Sequence, residues 1–232
     1  DEAAFRYELG LPELNVGGTW YVPDDFTSVW YRRPERLKHS QVDNSPEGKL
    51  TLDEWAEALE AFFAHIPANR WMNHPSANVA ASHKLEQLTT ATRLGLSVPQ
   101  TLVTHDPDRL RAFFRDHGGN IIVKPMSVGY VERNDDEPDS LIYTNRLTEH
   151  HLDDLSDLPS CPTLFQECIH KISDIRITVV DRDIHAVELQ AQEPDGSQRC
   201  DVRRNNMADV TYRSISLPPE IADKVRSLTT YY

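Results

Sequence analysis

An α/β (α+β) fold in two parts is what this sequence predicts, and three observations carry the expectation. From about Asn78 onward, stretches with helical spacing alternate with short apolar runs. Before that point one well-marked helix follows aromatic and β-branched stretches bounded by turn residues. With 232 residues, 39% of them hydrophobic, the chain can bury one large core or two smaller ones. The parts are expected at 1–77 and 78–232.

The elements follow in order. GGTWYV and SVWYRRP (28–34) read as strands, and because the sequence opens at Asp1 without an initiator methionine or an obvious first strand, its native beginning is expected to lie upstream. Thr51 and Glu54 read as a capping box opening a helix, in which Trp55, Leu59, Phe62, Phe63 and Ile66 recur at helical spacing until Pro67. A helix over 79–94 closed by Gly95 comes next, then a strand at 100–104. Asp106 as N-cap and Pro107 in the first turn open a helix over 107–116, and a strand follows at 120–124. The polar stretch Met126 to Ser140 reads as an exposed hairpin tip or loop, its acidic part 132–139 being either a lid or a plain solvated loop. Strands are expected at 163–167, 174–180 and 184–190, the last two joined as a hairpin around Asp181–Asp183. A final helix from Pro218–Pro219 carries Ile221, Val225 and Leu228 on one face and is expected to await a strand to pack against.

Charge narrows the partners. A net charge of −13 and a pI near 5.1 argue against a sequence-independent nucleic-acid binder or an anionic membrane surface, so a bound anion needs a local basic pocket. Cys161, Cys168 and Cys200 form no CxxC pattern, which gives neither a zinc site nor a disulfide framework and points to a reducing compartment. No apolar run approaches the ~20 residues of a membrane span and no signal peptide opens the chain, so a cytoplasmic location is expected.

Lys124 ends the apolar run IIV just before Pro125, where a strand's last side chain can emerge at the sheet edge and meet a phosphate. Lys84 lies on a helix two positions after Ser82. ATP carries roughly four negative charges, so two converging lysines make chemical sense together, although each alone has a plain reading as a surface residue. Gln166, Glu167, Cys168 and Ile169 end a strand in a polar-to-apolar hinge able to present backbone groups to an adenine edge, or simply an exposed strand end. Asp174 and Arg176 share a strand face, and Arg203, Arg204 and Asn205 form a polar group downstream. Such arginines can hold a phosphoryl group or a carboxylate, or pair with acids of their own.

In this order, the helix with its lysine, GLSVPQT, the strand with Lys-Pro, the acidic loop, QECI, DIRITVV, AVEL and DVRR resemble the ATP-grasp ligases. WYRRP, WMNHPSANVAASHKLEQL, GLSVPQTLVTHDP and CDVRR resemble more narrowly the microviridin-type, or graspetide, peptide ligases, over most of residues 28–220. The resemblance implies an ATP-grasp fold with a pre-ATP-grasp domain at 1–77. It puts Lys84 and Lys124 on phosphates, Gln166 to Ile169 at the adenine, Lys171 beside the base, and Asp174 on the ribose or orienting Arg176. It further implies Arg203, Arg204 and Asn205 near the γ-phosphate, and Arg32 and Arg33 at the substrate unless they serve as salt bridges. ATP and Mg2+ are the implied cofactors, a ribosomal precursor peptide the implied partner, and a homodimer the implied assembly. These ligases carry magnesium ligands in a later D…E-x-N arrangement, so the sequence is expected to lack its C-terminal part and no metal ligand is assigned before Tyr232. The implied reaction activates Asp or Glu side chains as acyl phosphates and joins them to Ser or Thr hydroxyls or Lys amines. The alternatives are a glutamate-type ligase acting on a protein tail or metabolite, and a binding module without turnover.

Overall fold

The structure, a computed structural model, describes residues 3–32, 34, 37, 42–43, 45–131, 133, 140–193, 196–204 and 207–232. The chain divides into two compact units, Asp1–Ala80 and Ala81–Tyr232.

The first unit opens with an antiparallel meander of β1 (Ala4–Glu8), β2 (Leu11–Val16) and β3 (Thr19–Tyr21). The first two strands escape the sequence reading because charged residues and Pro12 interrupt their apolar pattern, and because their turn is Leu9–Gly10 instead of Asn-Gly. Both turn residues have positive φ, 54° and 86°, the geometry that suits tight hairpins and strains a leucine. Within the strand expected over 28–34, β4 (Val29–Trp30) is what forms among the described residues; it pairs in parallel with β5 (Trp71–Met72).

Helix α1 (Pro46–Ala64) begins five residues before the Thr51 expected to cap it. The Ser45 hydroxyl accepts from the Gly48 N–H at 3.0 Å and Pro46 takes the first helical position, where its missing N–H costs nothing. Thr51 is already helical, and its hydroxyl donates to the Glu47 carbonyl at 3.0 Å. The spacing read along this helix does face the core: Phe62 and Ile66 are buried against Leu14, with Leu59, Phe63, Phe26 and Trp71 around them. The Trp71 indole N–H donates to the Ile66 carbonyl at 3.2 Å, which satisfies the one polar atom this aromatic brings inside.

Two helices, α2 (Pro75–Ser82) and α3 (Lys84–Arg93), replace the single helix expected over 79–94. His83 takes extended backbone angles, φ −74° and ψ 104°, and the Gln87 side-chain amide donates to the Ala81 carbonyl, satisfying an acceptor that the break exposes. Lys84 therefore sits at the first position of α3.

The second unit is built on a four-stranded antiparallel sheet of β6 (Thr101–Thr104), β7 (Ile121–Lys124), β10 (Asn145–Arg146) and β11 (Thr163–Glu167), in the order β10-β7-β11-β6. Helix α4 (Pro107–Asp116), capped by Asp106 through the Asp108 N–H at 2.8 Å, covers one face. Leu110 and Phe114 of α4 meet Ile121, Leu147 and Phe165 there in the buried core. Short strands β8 (Tyr130–Val131) and β9 (Ser140–Leu141) pair after β7, while Glu132 and residues 134–139 of the acidic loop lie outside the described residues.

A second antiparallel sheet holds β12 (Asp174–Val180), β13 (Asp183–Gln190) and β14 (Thr211–Ile215). Its first two strands form the hairpin read from the sequence, with Asp181 at φ 53° in the turn. Strand β14 escapes that reading because TYRSI carries no clear alternation. Helix α5 (Pro219–Tyr231) is fastened at three points: Lys224 Nζ donates to the Gly95 carbonyl at 2.8 Å, Arg226 Nε to the Arg182 carbonyl at 3.3 Å, and Tyr232 to Glu86. Among the described residues no helix is long and apolar enough to cross a membrane.

All four tryptophans lie before residue 81, so their fluorescence reports on the first unit. Ser45→Ala should cost that unit about 1 kcal/mol in urea unfolding, whereas Thr51→Ala should stay within about 0.5 kcal/mol. The reverse ranking would return the start of α1 to Thr51.

Candidate functional site

The alternation of side chains along β7 divides its residues between two environments. Ile121 and Val123 enter the core under α4, while Ile122 and Lys124 face the other way, into a cleft of about 250 Å³. The register places Arg146, Ile122, Gln166 and Thr101 in one row across the sheet, with Lys124 two residues further along. Residues Gln166 to Lys171 and Cys200 complete much of the lining. Lys124 thus emerges from an interior strand, not the sheet edge expected from its sequence position, because β10 and β11 flank β7.

The hinge at the end of β11 is firmly held. Gln166 is only 2% exposed, and its amide donates to Thr101 Oγ1 at 2.8 Å, making it a brace within the sheet. Asn120 closes both backbone groups of Cys168, accepting from its N–H at 2.9 Å and donating through Nδ2 to its carbonyl at 3.1 Å. The Glu167 N–H donates to the Gln100 carbonyl at 2.9 Å. Ile169 lines the cleft, and its N–H makes no backbone hydrogen bond among the described residues. Lys171 clips the outgoing chain: its Nζ donates to Asp174 Oδ2 at 2.8 Å and to the Cys200 carbonyl at 3.0 Å. Asp174 therefore orients Lys171, whereas Arg176 stands exposed on the same strand face without pairing to it.

Lys84 and Arg203 bear on the charge around Lys124 at one end of the cleft. Burial, and then repulsion from Lys84, push the Lys124 ammonium below the usual lysine range, against the attraction of Asp201. Lys84 is lowered in turn by burial and by Arg203. Its Nζ donates to the carbonyls of Met126 and Ser127 at 2.6 and 2.7 Å, tying the loop after β7 to the start of α3. Asp201, 7% exposed, offsets part of this charge. It accepts two guanidinium bonds from Arg203, Nε at 2.9 Å and Nη2 at 2.7 Å, as well as the backbone N–H groups of Arg203 and Thr144. Burial alone would raise this carboxyl; the hydrogen bonds outweigh it and hold the group well below the ordinary range. Arg204 Nη1 donates to Asn145 Oδ1 at 3.0 Å.

Of the residues singled out in the sequence, Lys124, Gln166 to Ile169 and Lys171 line this cleft, and Lys84 and Arg203 act on its electrostatics. Asn205 and Arg33 lie outside the described residues; Arg32, in the first unit, stands 5.7 Å from the Trp30 ring. Arg146, Thr144 and Cys200 also line the cleft and Asp201 acts on its charge, and the sequence points to no role for any of them. The Asp-x-Arg spacing of Asp201 and Arg203 is the one signal that could have found a member of this group. No cluster of three His, Cys, Asp or Glu side chains able to hold a metal occurs among the described residues.

No family model and no curated protein matches the sequence. Solved structures do. The macrocyclase MdnC bound with precursor peptide MdnA, from Microcystis aeruginosa MRC, superposes with a TM-score of 0.83 at 24% identity, over 99% of this chain and 72% of that one. A RiPP-associated ATP-grasp ligase of Chryseobacterium gregarium, in complex with ADP and a leader and core peptide, gives 0.80 at 25% identity, over 100% and 69%. The macrocyclase MdnB of M. aeruginosa MRC gives 0.73 at 22%, over 99% and 70%.

Asp201→Asn should lower the stability of the second unit by about 2 kcal/mol at pH 7. Because the folded pKa lies below the unfolded value of about 3.9, the contribution is complete above that value and is lost as pH falls through the folded one. Urea titrations followed by circular dichroism should therefore show a level gap between variant and parent from neutral pH down to mild acid, and a narrowing gap below it.

Proposed function

We propose that this chain, whose fold is that of the ATP-grasp ligases, serves an ATP-dependent peptide ligase as its nucleotide-clasping part, with a pre-ATP-grasp domain before it. The observation that carries the reading is the separation of two chemistries along β7. Hinge residue Glu167 pairs with Ile121 at the start of the strand, and the cationic group gathers around Lys124 at its end. Three residues of strand span about 10 Å, a distance suited to an adenine at one end and the phosphates at the other.

In this reading Lys124 and Lys84 neutralise the phosphates, Lys84 exchanging its two loop carbonyls for phosphate oxygens as it does so. The Ile169 N–H meets the adenine edge within the hinge formed by Gln166 to Ile169, while Lys171, set by Asp174, borders the base. Arg203, its fork fixed by the buried Asp201, faces the γ-phosphoryl group, with Arg204, Arg176 and Asn205 contributing nearby. An Asp or Glu side chain of the peptide attacks the γ-phosphorus, the bond to the β-phosphate oxygen breaks, and ADP leaves an acyl phosphate. A Ser or Thr hydroxyl or a Lys amine of the same peptide then adds to the acyl carbon and expels phosphate, closing an ester or amide ring. The protein's contribution is positioning and charge neutralisation. Arg32 and Arg33 are assigned to the substrate. The described residues, which hold no group of three His, Cys, Asp or Glu side chains, do not fit a magnesium site. The peptide substrate is supported by the precursor peptides bound to the structural neighbours.

Mass spectrometry of Thr- and Glu-rich precursor peptides incubated with the enzyme, ATP and magnesium tests the reading. Loss of one water per linkage is expected; gain of an amino-acid mass would favour a tailing ligase, and ATP binding without any change would favour a binding module. Lys124→Ala should abolish ATP turnover with an unchanged circular dichroism spectrum, and retained turnover would remove Lys124 from the site. Arg203→Ala should lower kcat by about 100-fold while ATP binding falls far less; equal loss of both would place Arg203 on the nucleotide alone.

A further inference from the structure

A buried charge that the chemistry above leaves unused lies two residues before Asp201. Arg199 is 8% exposed, and its guanidinium is poorly satisfied for such a place. Nη1 donates to the Arg204 carbonyl at 3.4 Å, Nη2 stands 3.9 Å from Asp209 Oδ2, and the buried Nε has no hydrogen-bond partner among the described residues. The Asp209 side chain is 60% exposed, so solvent weakens the ion pair. An arginine in this state is a poor source of stability. Desolvating its charge is costly, and an apolar side chain of similar volume in such a place is often neutral or stabilising. Its contacts point to a different task.

The carbonyl that Arg199 holds belongs to the turn that carries the reactive arginines. The Arg204 N–H donates to the Asp201 carbonyl at 3.1 Å, so Asp201 to Arg204 form one turn, with Arg203 at its third position and the Arg203 fork gripped by Asp201. One side of this turn is anchored by the Thr144 N–H, which reaches Asp201 Oδ2 at 3.2 Å. Arg199 supplies a second anchor. Its backbone N–H is fixed at 2.8 Å to the carbonyl of buried Ala191, just beyond β13, while its side chain reaches both the end of the turn and Asp209 in the single helical turn Met207–Asp209. The planar fork offers separate nitrogens to these two limbs, where a lysine would offer one ammonium.

We propose that Arg199 is a positioning residue, which fixes the Asp201–Arg204 turn so that Arg203 meets the γ-phosphoryl group. The assignment rests on the role proposed above for Arg203. Its signature is a loss of rate without a loss of stability, and a loss that requires Arg203.

The test compares the parent enzyme with Arg199→Met, Arg199→Lys, Arg203→Ala and the double variant Arg199→Met/Arg203→Ala, reading ATP turnover with a Thr- and Glu-rich precursor peptide, ATP affinity by calorimetry and the urea midpoint. Arg199→Met should lower kcat by about tenfold, with ATP affinity and midpoint no lower than the parent's, and Arg199→Lys should recover only part of the rate. In the Arg203→Ala background, Arg199→Met should slow the enzyme no further, a non-additivity that a purely structural contribution would not produce. Unchanged kcat in Arg199→Met, a midpoint and ATP affinity that fall along with kcat, or a full further loss in the double variant would each overturn the inference alone. Asp209→Asn, on the exposed side of the contact, gives a second comparison should Arg199→Met not fold: a lower kcat at the parent's midpoint is expected, and an unchanged kcat overturns the inference. A parent that turns over no ATP with the peptide would instead overturn the proposed function, and this inference with it.

Discussion

Lys84, Lys124 and Arg203 act on one another's charge around the end of β7, and a buried carboxylate in their field, Asp201, is already committed to Arg203 and Thr144. Like charges drawn together in a partly desolvated space lower the stability of that space unless something compensates. Here the compensation is partial: carbonyls of Met126 and Ser127 solvate Lys84, and Asp201 neutralises one guanidinium. The residual positive field is the property from which the proposed chemistry follows. It also explains how a chain of net charge −13 can offer an anion a favourable place, because the local arrangement opposes the global balance.

Such an arrangement holds its shape only if its supports are stiff. The alternate residues of β7 supply that stiffness, since Ile121 and Val123 are locked into the core with Leu110, Phe114 and Phe165 while Ile122 and Lys124 face the cleft. The hinge has the same character: Asn120, just before β7, uses both its backbone carbonyl and its side-chain amide to fix Cys168, just after β11. The two ends of the cleft are thus fixed through one central strand. A displacement of β7 would move both together, which keeps their separation constant.

How much of this could be read from the chain depends on the range of the interactions concerned. Helix α4 was legible because Asp106 and Pro107 announce its start and Leu110, Phe113 and Phe114 repeat at helical spacing, all local signals. Strands β11, β12 and β13 were legible for the same reason. The start of α1 was misread because two capping signals compete within seven residues, and Ser45-Pro46 prevails over Thr51. The break at His83 depends on Gln87 reaching back to Ala81, a contact no periodicity announces. Lys124 and Gln166 to Ile169, which line the cleft, and Lys84, which lines a separate cavity with Met126 and Ser127, stand within short motifs that the sequence displays. Arg146 and Thr144 do not, since they lie on or beside a two-residue strand and join the site only through the order β10-β7-β11-β6, which is set by tertiary packing.

The buried bond between Gln166 and Thr101 has a consequence for how this sheet can change over time. Replacing Thr101 by an apolar residue would strand the buried Gln166 amide, at a cost of about 1–3 kcal/mol, whereas Gln166 replaced alone leaves the half-buried Thr101 hydroxyl its bond to the Pro99 carbonyl at 2.9 Å. The dependence therefore runs one way across the 65 residues that separate the two positions. As long as β11 carries its glutamine, β6 is held to a residue that can accept from it.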